Sequence, residues 1–229
     1  MQVKEIMTTA PITITKGTLL PDALELMQEN SIRRLLVVDE KGKLIDIVTK
    51  KDLNEVSASP ATSLSIFELN YLLAKTTIGD ILKVRKDRPG MLVTIDENAL
   101  VGQAAVLLRE YKIGGLPVMS GEKVVGIVTE TDIFDVFVSV MGYKEPGTRI
   151  IIEMEQDKEG TIKEISEIIF NNHGNIQKLL AYQNKQEKYM IELRITSEND
   201  EKIISELKEK GYVIKNVVSW IIMRRKNEY

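Results

Sequence analysis

The sequence predicts an α/β (α+β) protein in which a β-α-β-β-α unit occurs twice and is followed by a smaller β-α-β-β-α-β unit. Three observations carry this. Lys43–Leu53, KLIDIVTKKDL, returns as Lys123–Ile133, KVVGIVTETDI. The segments upstream of it, Ile12–Leu20 and Ile32–Val38, return in the same order at Val93–Val101 and Ile113–Met119. From Thr148 the hydrophobic periodicities follow a different order.

Within each copy the elements can be taken in turn. Short β-like stretches, Ile12–Thr15 and Leu92–Ile95, come first. A helix over Leu19–Glu29 is predicted by Ala23, Leu24 and Met27 on one face; Leu100, Ala104, Leu107 and Leu108 repeat the pattern. Two nearly continuous apolar strands follow, Leu35–Val38 with Leu44–Val48 and Leu116–Met119 with Val124–Val128, turned by Lys41-Gly42 and Gly121-Glu122. A helix begins after Thr49 and after Thr129. The openings VKEIM, from Val3, and IGDIL, from Ile78, also match, and the second copy carries extra residues around Lys83–Gly90. A single copy cannot cover both faces of its apolar strands, so the two should pack together. Between them, Ser57–Thr77 reads as a linker plus a docked helix. This divides the chain into 1–56, 57–77, 78–142 and a last unit, 147–229.

In the last unit Arg149–Met154 alternates as a strand and Asp157–Gly160 is a turn. Ile162, Ile165, Ile168 and Ile169 mark a helix over Thr161–Asn171, closed at His173-Gly174-Asn175. Strands are expected at Asn175–Tyr182 and Tyr189–Ile195, a helix at Asn199–Lys210 closed by Gly211, and a final strand at Tyr212–Met223. That order is ferredoxin-like.

Composition excludes much chemistry. The 229 residues contain no cysteine and one histidine, so disulfides, thiol catalysis, Cys-ligated metals and His-rich metal sites are ruled out. A net charge of −3 advertises no nucleic-acid partner. The opening MQVKEIMTTAP lacks a signal-peptide core, and no apolar run approaches the roughly 20 residues of a membrane helix. Walker, GxGxxG and GxSxG patterns are absent. The expectation is a soluble cytoplasmic binding protein: not an enzyme, no catalytic residue, no metal, no required cofactor, no membrane or nucleic acid. His173 reads as a helix-end residue, and Arg224-Arg225-Lys226 as a solvated end.

The repeated Thr-x-x-Asp at a strand–helix junction, Thr49 to Asp52 and Thr129 to Asp132, admits two readings. As structure it is a helix cap close to a capping box, worth about 0.5–2 kcal/mol. As function, the helix N-terminus offers free amides to a phosphate, the Thr hydroxyl donates to it, and the Asp accepts both hydroxyls of a ribose. Two copies at the same junction of a duplicated unit favour the second reading. Arg33 and Arg34 open a strand of the first copy, where by themselves they read as a solvated strand end; the second copy has Gly114-Gly115, so the charge at the two clefts should be unequal. Lys83, Arg85, Lys86 and Arg88 form either a solvated loop or a phosphate clamp.

These motifs make residues 1–140 resemble a tandem pair of CBS motifs, a Bateman module. The resemblance implies adenosine-nucleotide sites on the pattern Gly-aliphatic-x-Thr-x-x-Asp, here Gly126, Thr129 and Asp132 in the second copy and Thr49 and Asp52 in the first, where Asp46 stands in place of the Gly. Arg33 and Arg34 would face the phosphates. Residues 147–229 are similar to ACT domains, whose first loop, here Asp157 to Gly160, often holds an amino acid at a subunit interface; Gly174-Asn175-Ile176 matches the start of their second strand. The order CBS–CBS–ACT looks like bacterial proteins of the acetoin-utilisation type. It implies a homodimeric sensor of an adenosyl ligand (AMP, ADP, ATP or S-adenosylmethionine) that acts on a regulated enzyme. The alternative is a dimerising scaffold with vestigial sites.

Overall fold

The computed structural model describes residues 1–57, 66–85, 92–143 and 145–220. The chain divides into two compact units, Met1–Phe134 and Asp135–Tyr229.

In the first unit a 3-10 turn at Val3–Glu5 and strand β1 (Thr8–Thr9) precede the first copy. That copy comprises β2 (Thr13–Ile14), α1 (Leu20–Glu29), β3 (Arg34–Val38), β4 (Leu44–Thr49) and α2 (Lys50–Ser57). Helices α3 (Ile66–Lys75) and α4 (Ile78–Val84) connect it to the second copy: β5 (Ile95–Asp96), α5 (Val101–Glu110), β6 (Gly115–Ser120), β7 (Lys123–Thr129) and α6 (Glu130–Val140). Pro21 in the first turn of α1 sits where no intrahelical N–H is needed. Ser31 and Lys112, at matching positions after α1 and α5, both take positive φ (54° and 51°), so one helix-to-strand turn is built twice. Gly42 and Gly121 supply positive φ in the two hairpins. The sheets are β2-β3-β4 and β1-β7-β6-β5.

The opening elements of the two copies are exchanged. Val3 is fully buried in the second core, with Ile95, Ala104, Leu108, Leu116, Val118 and Val128. Ile78 and Ile81 of α4 are buried in the first, with Leu20, Ala23, Met27 and Leu35. Matching backbone bonds hold them: Val3 N–H donates to Ala99 O and Ile78 N–H to Thr18 O, both at 2.9 Å. Division of the chain into contiguous copies at 1–56 and 78–142 therefore does not follow the cores. Leu73 of α3 packs on the first core. The linker stretch 58–65 lies outside the described residues, as do Lys86 and Arg88.

The second unit consists of β8 (Gly147–Met154), α7 (Thr161–Asn171), β9 (Asn175–Gln183), β10 (Tyr189–Thr196), α8 (Asp200–Glu209) and β11 (Val213–Trp220). The expected β-α-β-β-α-β order is observed, in an antiparallel sheet ordered β11-β8-β10-β9. One face is apolar because the strand period is two: Ile150, Ile152, Ile191, Leu193 and Ile195 pack on Ile165, Ile168, Ile169, Ile203 and Leu207 of the helices. The alternate positions place Arg149, Glu192 and Arg194 on the other face. At the end of α7 the positive φ, 57°, falls on His173 rather than Gly174. Gly174 is required for another reason: a Cβ there would lie 2.8 Å from Ile169 Cγ2. The Tyr212 hydroxyl donates to Glu164 Oε2 at 2.6 Å, and burial pushes its pKa up to about 12. The last strand's expected end at Met223 and the tail Arg224-Arg225-Lys226 lie outside the described residues. Among the described residues no helix is long and apolar enough to cross a membrane.

Candidate functional site

The two Thr-x-x-Asp motifs fall where expected, at the last residue of β4 and β7 and the first turn of α2 and α6. Their local geometry is nearly the same. Thr49 N–H and Thr49 Oγ1 both donate to Asp52 Oδ2, at 2.7 and 2.9 Å, and Asp52 N–H returns to Thr49 Oγ1 at 3.2 Å. In the second copy the same bonds measure 2.7, 2.7 and 3.4 Å. Each Thr hydroxyl proton is thus directed at its own Asp, not outward as a phosphate ligand would require. The capping box is complete in both copies.

Capping geometry alone does not define a site. Thr77-Ile78-Gly79-Asp80 starts α4 with the same bonds, Thr77 Oγ1 to Asp80 Oδ2 at 2.6 Å and Asp80 N–H to Thr77 Oγ1 at 3.2 Å, on an exposed helix end. The Thr77 hydroxyl bond holds the Asp80 pKa below the usual carboxylate value. What separates the two candidate junctions is their neighbours.

At the first junction Asp46 and Asp52 face Arg85, the residue that ends α4. Arg85 Nη2 donates to both oxygens of Asp46, at 3.0 and 2.9 Å, and Nη1 donates to Ile47 O at 3.1 Å. Nη1 also lies 3.6 Å from Asp52 Oδ2. Only 12% of the Arg85 side chain is exposed, so it is neither a solvated loop residue nor open to a ligand. Lys83, by contrast, is exposed and pairs with Asp80.

The second junction has Gly126 where the first has Asp46. Strand β1 crosses it in antiparallel pairing, Thr8 opposite Ile127 and Thr9 opposite Gly126. A Cβ on Gly126 would lie 2.5 Å from Met7 Sδ and 2.9 Å from Thr8 O, so no side chain fits. Among the described residues no hydrogen bond reaches Asp132 Oδ1. At the first junction Arg85 stands beside the capping oxygen of Asp52.

Arg33 and Arg34 separate. Arg33 is exposed. Arg34 pairs with Thr49 across β3 and β4, and its side chain runs against Gly114 and Gly115 at the matching strand start of the second copy. A Cβ at Gly115 would lie 3.0 Å from Arg34 Cδ, and one at Gly114 would strike the guanidinium and lie 3.2 Å from Glu130 Oε2. The Gly-Gly pair thus makes room for the arginine of the other copy.

In the second unit, Asp157, Gly160 and Thr161 line a cleft of about 530 Å³ against Tyr182, Tyr189 and Met190. Gly160, φ 83°, is the N-cap of α7, and Asp157 is exposed. A feature with no sequence expectation lies on the opposite face of the sheet. Arg149 pairs with Glu192, donates to Met141 O at 2.9 Å and covers the Tyr143 ring at 4.1 Å. Arg194, 3% exposed, holds Gly142 O at 3.0 Å, Glu145 Oε2 at 2.6 Å and Pro146 O. Polar residues alternating with Ile191, Leu193 and Ile195 were the available signal.

A duplicated β-α-β-β-α unit, whose last helix starts each time at a capped Thr-x-x-Asp, defines a class of tandem-repeat modules. The CBS domain family model matches residues 3–59 and 89–139. A CBS domain-containing protein of Dictyostelium discoideum is 36% identical over 141 residues, 61% of this chain and 92% of that protein. The chain belongs to the CBS-domain family. An uncharacterized protein of Methanocaldococcus jannaschii is 29% identical over 199 residues, 87% of this chain; the chain spans 45% of that relative's length. The crystal structure of AcuB from Vibrio cholerae is similar at 25% identity and a TM-score of 0.50, covering 63% of this chain and 95% of AcuB.

Proposed function

We propose that the protein is a regulatory sensor that binds an adenosyl ligand, AMP, ADP, ATP or S-adenosylmethionine, at the second CBS junction, without turning it over. The carrying observation is Asp132 Oδ1 beside the α6 N-terminus, which accepts no hydrogen bond among the described residues, with Gly126 keeping β1 against the strand. The ribose diol donates to Asp132, and the α6 amides face the phosphate or its equivalent. Ligand binding then biases the packing of the copies by its differential affinity for their arrangements. Residues 147–229 act as an ACT-like module that pairs two chains, and the cleft at Asp157–Gly160 suits a small amino-acid-like effector. The reading places the protein in the cytoplasm, as a homodimer acting on a regulated enzyme.

A second reading, a dimerising scaffold with vestigial sites, is favoured by one observation: the capping boxes already engage both Thr hydroxyls and one oxygen of each Asp. Thermal melts of the full chain with adenosine, AMP, ATP and S-adenosylmethionine separate the two. A ligand at about 100 times its Kd stabilises by roughly 2.7 kcal/mol. No shift with any of them favours the scaffold.

A further inference from the structure

We propose that Arg85 is an internal occupant of the first junction, so that the copies are a latched site and an open one. This rests on the sensor reading above. Asp46 and Asp52 both face the Arg85 guanidinium. Arg85 grips both oxygens of Asp46, fixes itself to Ile47 O and sits 3.6 Å from the Asp52 oxygen that caps α2. The three side chains are 12%, 24% and 13% exposed, so salt screens the cluster only weakly. Its location is set by α4, which is buried in the first core through Ile78 and Ile81. The latch is therefore delivered by the exchanged element, at the place where β1 lies over Gly126 in the second copy.

A ligand reaching Asp52 must first displace a bidentate, charge-assisted contact. Its apparent affinity falls by the fraction of time the latch is open. The Gly-to-Asp departure in the first copy is then half of a pair whose other half is Arg85, and the site is closed by its own chain.

The test is calorimetric titration of the full-length protein with adenosine. An uncharged probe is needed because removing Arg85 takes one positive charge from the junction, which alters the affinity for any phosphate by itself. Wild type should take up about one equivalent per chain, and Arg85→Ala about two. The double variant Asp46→Asn with Arg85→Ala, which conserves net charge, should also take up about two, and it serves if the single variant folds poorly. One equivalent in all three overturns the latch and leaves the second-junction reading standing. Fewer equivalents, or weaker binding, in the variants makes Arg85 a ligand-contacting residue and also overturns it. No uptake by any of the three, nor any with AMP, overturns the sensor reading and the latch together.

Discussion

The two junctions share a motif, a helix start and a hydrogen-bond pattern, yet the first has an arginine beside its carboxylates and the second has strand β1 along it. A Thr-x-x-Asp cap is a local device; Thr77–Asp80 builds it with no site attached. Whether the carboxylate is left available depends on what α4 and β1 bring to it from outside the copy. Duplication preserves the cap, and divergence acts on the neighbours.

The largest effect should come from making the second junction resemble the first. Gly126→Asp sets a buried charge against Met7 and the Thr8 carbonyl with no Arg85 to meet it. We expect a loss of about 3–5 kcal/mol, read as a lower denaturant midpoint, with β1 displaced from β7. A loss below 1 kcal/mol would mean β1 yields freely and the contrast is weak.

Asp132→Asn should weaken adenosine binding about tenfold, or roughly 1.4 kcal/mol, while the apo melting temperature moves little. Asp52→Asn should show the larger apo destabilisation of the two, on the order of 1 kcal/mol, because it also weakens the hold on Arg85. Equal apo losses would mean the caps, not the latch, set the difference.

A milder change sharpens the same comparison from the other side. Gly114→Ala forces the Arg34 guanidinium to move, at about 1 kcal/mol. Combining it with Arg34→Ala should recover much of that loss, a non-additivity that a double-mutant cycle measures directly. Additive losses would show that the arginine and the glycine pair are independent.

The smallest effect concerns acid. Bonding from Thr77 lowers the folded-state pKa of Asp80 below its ordinary 3.8. Its support of α4 is therefore full above that value and is lost as pH falls through the lowered one. Carboxyl chemical shifts should show Asp80 titrating below 3.8, and the first junction should loosen with it before the second does.

Much of this was legible in advance. Ala23 and Met27 recurring as Ala104 and Leu108 marked the paired helices, and alternating isoleucines marked the last sheet. The exchange of opening elements was not, because Val3 and Ile78 announce only that they are buried and not in which copy. Arg85 was equally silent: a loop arginine looks the same solvated or paired, and its partner lies 39 residues away. The substitution of Asp46 for glycine was visible, but its complement was not. Arg34 opposite Gly114-Gly115 read as unequal charge, when it is a large side chain seated where the other copy has none. Glu192 and Arg194 lay on a strand read by its apolar face alone.

The exchanged turns carry a consequence for how the chain matures. In a solenoid each repeat closes on its neighbour and can form as it is made. Here the Val3–Glu5 turn leaves the ribosome more than a hundred residues ahead of β7, and the core that receives it is incomplete until β7 has been synthesised. Until then its apolar side chains have no native home, and the first copy likewise waits for α4. Such long-range closures slow folding and bind the two halves into one cooperative event. Neither copy should therefore be separable by dissection at the sequence repeat: a fragment cut there keeps the wrong opening segment and lacks the right one.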